Sequence, residues 1–210
     1  MYFWGNYFLY LFKMDLSELL KSTAGQSIVK NVAGQLGMSQ NEASSVVSLA
    51  IPAILEGMTK NVQSRDGAEN LNKALESKHD GSLLDNLSGI FGGRTQELQQ
   101  DGNGILNHVF GSNLAGVEQG ISQKTGLSKN KIGPLLAILA PIVMAYLGKQ
   151  KRQTNTGAGG LGDLLGSLIG GAQQKAKSGG GLVDMLGSAL DKDGDGNPLN
   201  DILGGFLGKR

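Results

Sequence analysis

The chain has 210 residues, enough to bury a substantial core as one domain or as a domain with an appendage. Its 19 basic and 18 acidic side chains leave a formal charge of +1, which excludes the global imbalance of a polyanion binder or mimic. Zero cysteines exclude disulfides, thiol nucleophiles and cysteine-based zinc sites, and fit a reducing, cytoplasmic setting.

Met1 to Lys13 are aromatic and apolar, with Lys13 the single charge. The run is too short to cross a bilayer as a helix, which takes about 20 residues. It also lacks the basic start and small-residue cleavage site of an export signal. Residues 1–13 are therefore expected to be an extension outside the fold. Met14-Asp15-Leu16-Ser17-Glu18 reads as the natural beginning, with Asp15 or Ser17 able to cap a helix.

Residues 14–150 read as a helical core built on an internal duplication. Gly37-Met38-Ser39 leading to Pro52 recurs as Gly126-Leu127-Ser128 leading to Pro141, at a constant offset of 89 residues. Ile28, Val32 and Leu36, then Val46, Leu49, Ala50 and Ala53, recur at helical spacing, and strand-type alternation is absent. Each copy reads as a short helix, a glycine turn and a long apolar helix, with Ser39 and Ser128 placed as N-caps. Pro52 and Pro141 each remove a hydrogen bond inside the long helix and are expected to bend it. Ile132 to Leu147 carries no charge, so it is a core helix of a bundle or, alternatively, a membrane contact. Glu56, inside the equivalent stretch of the first copy, favours the bundle.

Between the copies lies Asp101-Gly102-Asn103-Gly104-Ile105-Leu106-Asn107-His108-Val109-Phe110-Gly111. Together with Gly126-Leu127-Ser128 and the Pro141 helix, this string resembles the bacterial domain-of-unknown-function family numbered 937, related to the YidB proteins. The resemblance covers about Asp15 to Arg210. It implies a multihelical bacterial protein, taken as cytoplasmic, and carries over no activity, substrate or catalytic residue.

Past Gln150 the composition changes. Residues 151–160, beginning with Lys151-Arg152-Gln153-Thr154-Asn155-Thr156, read as a linker. Residues 161–210 read as a glycine-rich tail of short helices, in keeping with 34 glycines in the whole chain. Three units share Leu-x-Asp-apolar-Leu-Gly: Leu161 to Gly166, Leu182 to Gly187 and Leu199 to Gly204. The aspartate suits the first turn of a helix and the closing glycine is expected to limit its length. Gln173 to Gly181 reads as a spacer. Such short helices need to dock together or onto the bundle to persist.

Between the second and third units, Asp191-Lys192-Asp193-Gly194-Asp195-Gly196-Asn197 resembles an EF-hand-type calcium loop. Carboxylates from Asp191, Asp193 and Asp195 converge on one hard cation, Gly196 permits the sharp turn, and Asn197 supplies a backbone carbonyl. Position twelve, where a bidentate Glu closes such a site, is Ile202, and position eight is Pro198. Asp201 is the nearest substitute. Calcium is the one cofactor these residues specify, weakly and with poor discrimination against magnesium; the alternative is an acidic solvated turn.

Other chemistry is sparse. Gly157-Ala158-Gly159-Gly160-Leu161-Gly162 matches the dinucleotide fingerprint, but no strand precedes it. There is no phosphate-binding Walker sequence and no nucleophile elbow. His79 and His108 are the two candidates for acid–base work, and a pocket joining one of them to a carboxylate is what catalysis requires. His108 is expected to be packed or hydrogen-bonded structurally. Lys124, Lys129, Lys131, Lys149, Lys151 and Arg152 flank the second long helix without an intervening acid, yet aromatic residues for base stacking are missing apart from Tyr146, so no nucleic-acid partner is expected. The resulting expectation is a non-enzymatic helical interaction module, self-associating or bound to a protein partner, with a membrane-associated helical protein as the alternative.

Overall fold

The computed structural model describes residues 22–176, and every regular element among them is helical. In chain order these are α1 (Thr23–Gln35), α2 (Gln40–Asn61), α3 (Arg65–Ser77), α4 (Ser82–Asp85), α5 (Leu87–Phe91), α6 (Thr95–Phe110), α7 (Leu114–Thr125), α8 (Lys129–Gln153) and α9 (Leu161–Ala176). Turns of 3-10 helix at Gly111–Asn113 and Ala158–Gly160 join α6 to α7 and lead into α9. The all-α bundle expected from the spacing of apolar residues is present.

Helix α8 is the axis around which the rest is arranged. Its residues from Leu135 to Gly148 are all buried, because α2, α3, α4, α6, α7 and α9 pack around it. Leu135, Leu136, Ile138 and Leu147 are completely enclosed, and burial of side chains of this size stabilises a fold by about 1.5–3 kcal/mol each. Helix α2 buries one stripe, Ala43, Val46, Val47, Ala50, Ile51, Ile54, Leu55 and Met58, with Leu49 at its margin. The opposite face carries Glu56, paired with Lys60 at 3.0 Å. By length and composition α8 could cross a membrane, but 83% of its most apolar window is buried inside the bundle.

The starts of α2 and α8 have parallel construction. Gly37 and Gly126 both take left-handed backbone conformations, at φ 59° and 71°, which a residue without Cβ adopts freely. Ser39 and Ser128 are the N-cap residues, and proline is the thirteenth residue of each helix. Both helices nevertheless run on through Pro52 and Pro141 as single elements. The caps differ. Ser39 accepts from the Glu42 amide at 3.2 Å while Glu42 accepts from the Ser39 amide at 2.7 Å, a complete capping box. Ser128 makes no side-chain cap bond, and Lys131 in the third helical position offers no acceptor to complete a capping box. That lysine instead lies 3.8 Å from Glu42, tying the N-terminus of α8 to that of α2.

Two readings of the region past Gln150 need correction. Lys151, Arg152 and Gln153, assigned to a linker for their polarity, are the last residues of α8, where Lys151 and Arg152 make ion pairs to Glu76 and Asp80. The unit beginning at Leu161 is not ended by Gly166; α9 continues to Ala176. Leu161 and Leu165 are fully buried and Leu168 nearly so, in contact with α2, α3 and α8. That burial outweighs the roughly 1 kcal/mol that each interior glycine costs a helix. Residues 1–13, the units at 182–187 and 199–204, and the acidic loop lie outside the described residues.

Candidate functional site

A cleft of about 530 Å³ lies between α3 and α6. Helix α6 contributes Asp101, Gly104, Ile105, His108 and Val109, which share one face because their spacing follows the helical repeat. Helix α3 contributes Gly67, Asn70, Leu71 and Ala74 from its facing side, followed by Lys78 and His79 just beyond its end. Met58 and Asn61 of α2 and Met144 of α8 complete the lining. Apolar groups therefore predominate, with a few polar side chains around them.

Two glycines set the cleft's frame. A side chain at Gly102 would fall on the backbone of Ala137, so α6 meets α8 at this point through bare backbone. A side chain at Gly148 would likewise fall on the carbonyl of His79, so α8 presses directly on the segment that follows α3. At the far end of α6, Asn61 Nδ2 donates to the carbonyls of His108 and Val109 at 3.4 and 3.2 Å, satisfying acceptors that the helix itself leaves open.

His79 and Asp101 join the two walls. The imidazole is only 4% exposed, and its Nε2 lies 3.7 Å from Asp101 Oδ2. Nδ1 is enclosed and has no hydrogen-bond partner. Burial pushes the imidazole below the usual histidine range, the Asp101 carboxylate pulls it back up, and neighbouring Lys78 pushes it down. Of the two candidate histidines, the structure thus places His79 against a carboxylate. His108 departs from expectation: its imidazole is exposed at the cleft, and it is the backbone carbonyl that takes part in hydrogen bonding.

The cationic residues at the end of α8 are neutralised in space rather than in sequence. Lys151 Nζ donates to Glu76 Oε1 at 2.8 Å, Arg152 to Asp80 at 3.0 Å, and Lys149 lies 3.9 Å from Asp85. Glu76 is held below the usual carboxylate range, first by the bond from Lys151 and then by that from Asn72. Asp80 is lowered chiefly by bonds from Ser82 and further by Arg152. Among the described residues no group of three His, Asp, Glu or Cys side chains could hold a metal ion. Asp191, Asp193, Asp195, Asn197 and Asp201 lie outside them. The glycine string at 157–162 forms a 3-10 turn and the start of α9, and the element that precedes it is helix α8.

The sequence reading named His79 and His108 but not the cleft that unites them. The signal available was the spacing 101, 104, 105, 108, 109, partly concealed by two glycines. Compared with known families, residues 18–150 and 152–210 match the model for a bacterial protein of unknown function (DUF937). No curated protein and no solved structure matches the chain.

Proposed function

Starting from a chain that belongs to the DUF937 family of bacterial proteins of unknown function, we propose that it is a non-enzymatic interaction module whose α3–α6 cleft holds a small amphipathic ligand. The observation that carries this reading is the cleft itself. Its volume of about 530 Å³ falls in the range of small-molecule sites. Met58, Leu71, Ile105, Val109 and Met144 offer apolar contact, while Asn61, Asn70, Lys78, Asp101 and His108 are the polar groups able to orient a head group.

Binding is favoured over turnover because no hydroxyl or thiol lines the cleft. The histidine beside the carboxylate has one ring nitrogen sealed and the other directed at Asp101, an arrangement that joins walls rather than presenting a base to a substrate. Enclosure of α8 supports a protein working in water over the membrane-associated alternative, and the absence of cysteine fits a cytoplasmic setting. A calcium site at Asp191, Asp193, Asp195, Asn197 and Asp201 remains part of the proposal, supported by the loop's sequence.

The probe for the cleft is an anilinonaphthalene sulfonate dye, apolar with an anionic head. It should bind saturably at pH 7.5 with shifts in the methyl resonances of Met58 and Met144. Ala74→Trp, which fills the space, should weaken binding by at least about tenfold. Binding that is unsaturable, or equal in the Trp variant, overturns the reading.

A further inference from the structure

We propose that protonation of His79 opens this cleft, so that the walls formed by α3 and α6 part as the solution is acidified. The inference takes its ligand from the binding reading above, but the motion itself is independent of that reading.

With its proton on Nε2, facing Asp101, neutral His79 leaves a lone pair on the enclosed Nδ1. Protonation adds an N–H and a positive charge at that atom, where no acceptor exists and water is excluded. Asp101 compensates only in part, because it lies 3.7 Å from Nε2 with its side chain 39% exposed and offers no acceptor to Nδ1. The segment cannot retreat inward, because the carbonyl of His79 already rests on Gly148. Hydrating Nδ1 therefore requires the segment after α3 to move outward, away from α6.

The surrounding charges do not supply another counterion. From its own segment His79 has Lys78, which is repulsive, and Asp80, which is engaged by Arg152. From α8, Lys151 is bound to Glu76 and Lys149 lies by Asp85. The cleft residues of α2 and α3 are uncharged, and α6 contributes Asp101 and the exposed His108.

Linkage gives the direction. The closed state binds a proton less well than the open one, since its imidazole is lowered by burial. Its advantage is complete above a pH of about 6.5, the value of an unburied histidine, and declines as pH falls toward the lower value of the closed state. Within that window the opening equilibrium should grow by up to about tenfold per pH unit.

Amide hydrogen exchange at Lys78 and His79, whose N–H groups bond to the Ala74 carbonyl, corrected for intrinsic rates and read from pH 7.5 to 5.0 without any ligand, tests the proposal. Wild type should show opening that rises as pH falls; His79→Gln, which cannot take the proton, should show a flat profile. Asp101→Asn removes the charge that favours imidazolium in the closed state, so its acid response should extend to lower pH than wild type. An equal response in wild type and His79→Gln, or no pH dependence in wild type, overturns the gate. Dye binding with flat exchange sinks the gate alone, whereas acid-dependent exchange without dye binding sinks the binding reading alone.

Discussion

Gly102 and Gly104 sit two residues apart in the middle of the same helix, yet they do opposite work. Gly102 is where the backbone of α6 meets that of α8 at Ala137, and a methyl group has nowhere to go; around Gly104 nothing lies within 4 Å of an added Cβ. Gly102→Ala should therefore destabilise the bundle by about 1–3 kcal/mol through overpacking. Gly104→Ala should stabilise it by about 0.5–1 kcal/mol by restoring helix propensity. Urea unfolding of the two variants checks this directly, and a similar loss for both would refute the backbone contact. The sequence shows two equivalent glycines in an Asp-Gly-Asn-Gly string. What separates them is a contact with a residue 35 positions downstream, invisible to any local pattern.

At the level of elements, local signals carried far in some places and failed in others for a physical reason. The glycine turns and serine caps of α2 and α8 were legible because a left-handed residue and an N-cap are properties of a few adjacent residues. The length of α9 was not, because its glycines argue against a helix and its stability comes from Leu161, Leu165 and Leu168 against other elements. The end of α8 was misread for the same reason, its polar residues being paired with Glu76 and Asp80 far away in the chain. If packing is what sustains α9, Leu165→Ala should cost about 2–5 kcal/mol and raise exchange along Leu161–Ala176. Gly166→Ala, into open space, should instead add about 0.5–1 kcal/mol. Exchange in α9 unaffected by the Leu165 change would show that the helix stands without its docking.

For the whole molecule, the bundle and the acidic loop pose separate energetic problems. The core around α8 is built from described residues, whereas the ion site proposed at Asp191 to Asp201 lies outside them. Three aspartates at positions one, three and five bring the charge, but Ile202 in place of a bidentate Glu removes the ligand that normally completes a calcium shell. Such a site belongs in the weak range, with Kd on the order of 10⁻⁴–10⁻³ M, and its shortened shell leaves little preference over magnesium. Calorimetric titration of calcium into chelator-treated full-length protein should therefore show one weak, saturable equivalent. The double variant Asp193→Ala, Asp195→Ala should lose it, and magnesium should compete within about tenfold. At 10 mM calcium and a Kd of 1 mM, binding at the proposed site would stabilise the bound state by about 1.4 kcal/mol, small beside a buried core. Absence of saturable binding in wild type would leave those aspartates as a solvated turn.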